Sequence, residues 1–154
     1  MKKLMRAGIA ALALAASLSA SAGAWGEGPF DNDAAQDWLS ECAGAAGAAA
    51  VVRAIDTALR PGDLDADDGS VAVAAAEVIA SADGRGPSIS SAQAKACLAK
   101  GLAPEVRALA PRARQALARV SNPSSSELAQ LWAEGKSNRW AARISQLGKR
   151  LERQ

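Results

Sequence analysis

The chain has 154 residues, of which 49% are hydrophobic by type but only 3% aromatic, with two Cys, no His, no Tyr and a formal charge of +2. That length encloses a single core and calls for no second domain. Without His, the proton shuttle of the familiar nucleophilic triads has no donor.

Residues 1–22 have the three parts of an export signal: Lys2, Lys3 and Arg6, an apolar run from Ala7 to Leu18, and small residues ending in Ala20, Ser21 and Ala22. Cleavage after Ala22 leaves Gly23 first, whereas the competing triplet Ala22, Gly23, Ala24 would leave Trp25 first. The apolar run is short against the roughly 20 residues that cross a bilayer, so no permanent membrane anchor is expected. Residues 23–154 then form one domain, periplasmic or secreted. Its charge falls to −1, because the signal carries three of the 18 basic residues and none of the 16 acidic ones.

That charge is unevenly spread. Residues 23–84 hold twelve acidic side chains against Arg53 and Arg60, while residues 85–154 hold thirteen basic ones against Glu105, Glu127, Glu134 and Glu152. Two such halves either dock on each other or leave a basic face for an anionic partner. Export and the absence of His and Tyr make nucleic acid a poor candidate for that partner, and none is expected.

Strand signals are nearly missing and periods near 3.6 recur, so the expected fold is all-α: a single compact bundle of about five helices behind an extended WGEGPF segment. The first helix opens near Asp31 to Asp33, with Asp33 and Gln36 spaced as a capping box and Phe30 folded back on the first turn. Its stripe is Trp38, Cys42, Ala45, Ala49, Val52, Ile55 and Leu59, weakened in the middle by Gly44 and Gly47. A second helix spans about Asp68 to Ala82, capped by Asp67 and Asp68, with one buried stripe through Val71, Ala74, Ala75, Val78, Ile79 and Ala82. Residues 84–91 are a loop, and a short helix from Ser91 to Lys100 carries Cys97. Pro104 starts the next helix, with Val106, Leu109, Ala110, Ala113, Ala116, Leu117 and Val120 inward and a kink or break at Pro111. Ser124 and Glu127 then form a capping box ahead of Leu128, Leu131 and Trp132, and the last helix uses Trp140, Ile144, Leu147 and Leu151.

Four groups of residues invite a chemical reading. Asp63, Asp65, Asp67 and Asp68 alternate as calcium ligands do, but a calcium loop with Asp63 first would need Gly at 68 and Glu at 74, which are Asp and Ala. Asp33, Asp37 and Glu41 share one helical face beside Asp31, a pattern open to acid and base work or to capping and solvation. Trp25, Trp38, Trp132 and Trp140 supply the core's main aromatic volume. Cys42 and Cys97 meet an oxidising compartment, where they form a disulfide or remain two buried thiols.

The segment Trp25, Gly26, Glu27, Gly28, Pro29, Phe30, Asp31, Asn32, Asp33, the AVAAAEVIA run at residues 72–80 and the SELAQLW run at residues 126–132 together resemble a known family. It is the group of small bacterial proteins classed as domain-of-unknown-function family 4259. The resemblance covers nearly all of the mature chain and implies a fold but no activity. An export signal ahead of the motif and a cysteine pair are departures from what the family usually shows. The reading reached is an exported, non-catalytic protein-interaction module with no cofactor and no metal. The competing class is a small carboxylate- or metal-dependent hydrolase built on Asp31, Asp33 and Asp37.

Overall fold

The computed structural model describes residues 26–82, 91–101, 103–135 and 138–153 of the chain. The expected export signal over residues 1–22, Trp25 and nearly all of the expected loop over residues 84–91 lie outside them. The described residues form eight helices: α1 (Asp33–Ala43), α2 (Gly47–Ala58), α3 (Ala66–Ser81), α4 (Ala92–Gly101), α5 (Pro104–Arg107), α6 (Ala110–Val120), α7 (Glu127–Glu134) and α8 (Arg139–Leu151). Among them there is no strand, only an isolated parallel bridge between Leu64 and Ser126.

The all-α class holds, while the expected count of about five is corrected to eight. The helix expected from Asp31–Asp33 to Leu59 is two. Gly44 closes α1 by donating its N–H to the carbonyls of Ser40 and Glu41, and Gly47 opens α2 at a φ of +48°, which a side chain would strain. The break resets the helical phase. Ala45 and Ala49 are therefore exposed, and the α2 face that packs inward is Ala50, Val51, Ala54, Ile55 and Ala58. The second split comes at Pro111, which falls in the first turn of α6, where its missing N–H has no partner to lose.

The caps also differ from the local expectation. Asn32, not Asp33, accepts the Ala35 N–H at 2.7 Å, and Gln36 reaches back to the Phe30 carbonyl at 2.7 Å. Asp65, rather than Asp67 or Asp68, caps α3 through the Asp68 N–H at 2.7 Å. Ser126, rather than Ser124, caps α7. Several Ser, Asp and Asn residues in each connection satisfy the capping spacing. The winner is the one whose backbone is extended when the chain arrives from its tertiary contacts.

Helix α3 is the axis of the bundle, packed by α1, α2, α4, α6, α7 and α8. Instead of one stripe, every residue from Gly69 to Ala80 except Val71 is buried. The run of Ala, Val and Gly makes this possible, since short side chains let neighbouring helices approach from all directions. Helices α6 and α8 keep the expected single faces: Ala113, Ala116, Leu117 and Val120 on one, Trp140, Ile144, Leu147 and Leu151 on the other. Cys42 in α1 and Cys97 in α4 are joined by a disulfide, with Cα atoms 5.1 Å apart.

Candidate functional site

The motif segment ahead of α1 folds as a short strap. Asp31 organises it: its Oδ2 accepts the Gly28 N–H at 2.9 Å, and its own N–H donates to the Gly28 carbonyl at 3.2 Å. A Cβ at Gly26 or Gly28 would lie 2.5 Å from that same carboxylate oxygen, so a side chain at either position would displace the Asp31 carboxylate from its place in the turn. Phe30 packs on the core, and Asn32 hands the chain to α1. Glu27, the motif position given no role above, ties the strap down. Its side chain is only 14% exposed and meets Arg139 at 3.2 Å and Arg143 at 3.9 Å, both on α8.

Beneath the strap Trp132 and Trp140 stack with ring centroids 5.8 Å apart and planes within 10°. Gly26, Gly28, Pro29, Asn32, Ser70, Val73 and Leu128 complete the slot, whose free space of about 20 Å³ suits one water-sized group and no larger ligand. Trp38 is buried as expected and donates its indole N–H to the Ala50 carbonyl at 3.3 Å. A wider hollow opens between α6 and α8, floored by Leu117 and Ile144. At its rim Arg114 is paired with Glu152 at 2.8 Å, beside Lys149.

The other two motif runs have equally structural uses. Glu77, the one charged residue of AVAAAEVIA, is 3% exposed; Arg150 of α8 grips both its oxygens, one at 2.8 Å, and Ser81 donates to it at 2.8 Å. In SELAQLW, Ser126 is the cap, Glu127 accepts the Ala66 N–H at 3.3 Å, Leu128 is buried and Trp132 stacks. Glu127 N–H and Ser125 carbonyl both bond Leu64, each at 2.9 Å, which fixes the start of α7 beside the start of α3.

The candidate acid–base group does not converge. Asp31 serves the strap turn, Glu41 pairs with Arg53 at the surface, and Asp33 and Asp37 face solvent. Among the described residues no three Cys, Asp or Glu side chains gather in a way that could hold a metal ion. None of their helices is long and apolar enough to cross a membrane.

The acidic and basic halves meet as the charge pattern suggests. Glu27 with Arg139 and Arg143, Asp56 with Arg112 at 2.7 Å, and Glu77 with Arg150 all join early residues to late ones. Arg119 donates to the carbonyls of Arg60 and Gly62 beyond the end of α2. The start of α3 carries an acidic patch. Asp63, Asp65 and Asp67 are exposed ahead of and within the first turn of α3, and Asp68 is half-buried beside them. Burial, then the neighbouring Asp65 carboxylate, pushes the Asp68 carboxyl above the ordinary range, an effect that Arg60 offsets in part.

Sequence reasoning assigned no role to Glu27 or Glu77 and did not mark Asp65 as the cap of α3. A lone carboxylate inside an Ala and Val run is the visible signal for Glu77, because it would be costly there without a partner. Neither curated proteins nor solved structures contain a match to this chain. The family model described as a domain of unknown function, DUF4259, matches residues 23–143, and the chain belongs to that family.

Proposed function

We propose that this protein is an exported, non-catalytic interaction module that meets a cationic protein surface through the aspartate rim at the start of α3. The observation that carries the reading is the division of charge. Arg112, Arg119, Arg139, Arg143 and Arg150 of the basic half engage Asp56, backbone carbonyls, Glu27 and Glu77 of the acidic half, whereas Asp63, Asp65 and Asp67 lie exposed at the start of α3 and Asp68 feels the neighbouring Asp65 and Asp67 carboxylates. A cationic partner relieves that crowding, and complementary charge speeds the encounter.

Six polar side chains of the three family motifs support a binding module over an enzyme, because they have structural duties: Glu27, Asp31, Asn32, Glu77, Ser126 and Glu127 hold turns, caps and helix contacts. Export is supported by the signal-like residues 1–22 and by the Cys42–Cys97 disulfide, a bond that persists in oxidising compartments.

The test is affinity capture from an exported fraction with the mature chain and with a doubly neutralised Asp63→Asn, Asp67→Asn variant, neither of which removes the α3 cap. A protein retained at low salt and lost with the variant is the expected result. Equal retention by both proteins overturns the rim as the contact. Mass spectrometry of exported material should give Gly23 as the first residue, and Met1 retained in a membrane fraction would overturn export.

A further inference from the structure

We infer that α4 is a redox-released helix: the Cys42–Cys97 disulfide holds it on the bundle, and reduction lets it leave while the other helices stay folded. A ten-residue helix is too short to persist alone in water, so α4 depends on what it buries. That is very little. Among residues 92–100 only Ala94 and Cys97 are fully enclosed, Leu98 is half-buried, and Ala92, Gln93, Lys95, Ala96, Ala99 and Lys100 face solvent. Helix α6, of similar length, encloses five residues including Leu117 and Val120, and α3 encloses eleven. The disulfide therefore ties down the helix that encloses the fewest residues among these three, and Cys97 is at once one of its two fully enclosed residues and its tether.

Release balances as a thiol–disulfide exchange with a dithiol reductant. One thiolate attacks a cystine sulfur to form a mixed disulfide, and the reductant's second thiol displaces the protein from it. Two electrons and two protons pass to Cys42 and Cys97, and the reductant leaves as a disulfide. Both cysteines are fully buried, so exchange waits for α4 to open locally, and reduction then makes the opening persistent. Departure of α4 uncovers the surfaces of α1, α2 and α3 against which it packs.

Hydrogen exchange read by mass spectrometry on the mature chain, with and without dithiothreitol, tests this. On reduction, amides of residues 95–100 should exchange at least tenfold faster while those of residues 72–80 keep their protection. A Cys42→Ala, Cys97→Ala variant, which removes the bond without a reductant, should show the same pattern. Unchanged protection of α4 in both experiments overturns the inference. So does simultaneous loss of protection in α3 and α4, since the disulfide would then be a staple for the whole fold.

Discussion

The two ends of α3 treat the same chemical group in opposite ways. Near its C-terminus Glu77 is sealed among helices and gripped by Arg150 and Ser81; at its N-terminus Asp65, Asp67 and Asp68 lie within a turn of one another and Asp63 adds a fourth carboxylate. Water decides the difference. In solvent like charges are screened and their crowding costs little, whereas a carboxylate removed from water must be matched by a cation and by hydrogen bonds. The buried end therefore couples α3 to α8, and the wet end is free to serve as a surface.

The sharpest way to break this contrast is Glu77→Ala, which takes the carboxylate away from Arg150, a side chain only 18% exposed in the intact pair. A loss of about 3–5 kcal/mol is expected in urea unfolding, the usual cost of stripping one partner from a buried pair. A loss below about 1 kcal/mol would show that the pair is already solvated. At the wet end Asp65→Ala removes the α3 cap and should cost about 1 kcal/mol by the same measurement. Neutralising Asp63 and Asp67 to Asn should change stability by less than about 0.5 kcal/mol, as exposed substitutions do. A large gain there would mean that repulsion at the rim strains the fold.

The smallest effect is in pH. Asp68 binds its proton more readily folded than unfolded, so its contribution to stability is unfavourable at neutral pH. That penalty is relieved as pH falls through the raised folded value towards the ordinary carboxylate range. A carboxyl-carbon NMR titration should find the Asp68 midpoint above that of an exposed aspartate. It should move down, without returning fully, in Asp65→Asn, because burial remains the larger cause. An ordinary midpoint in the unaltered protein would remove both the crowding and its relief by a partner.

Much of the fold is written in residues whose meaning is local. The α8 face through Trp140, Ile144, Leu147 and Leu151, the α6 face ending at Val120, the interruption at Pro111 and the weak point between Gly44 and Gly47 follow from side-chain period and backbone restriction alone. The resemblance to the family was legible too, and its opening segment places Gly26 and Gly28 against the Asp31 carboxylate. The candidate site was less legible. Asp31, Asp33, Asp37 and Glu41 look alike along the chain, but the fold gives them a strap turn, open solvent and a surface arginine.

Local sequence thus determined that this chain is helical, where its one-sided helices face and which segment marks its kin. Tertiary structure alone decided that α3 would be enclosed on every side, that Asn32, Asp65 and Ser126 would win their caps, and that Glu27 and Glu77 would find arginines on α8. The reason is physical. Helical period and glycine or proline restrictions act within a few residues, whereas enclosure and charge pairing depend on which distant helices arrive, and an alanine-rich surface accepts neighbours from many directions.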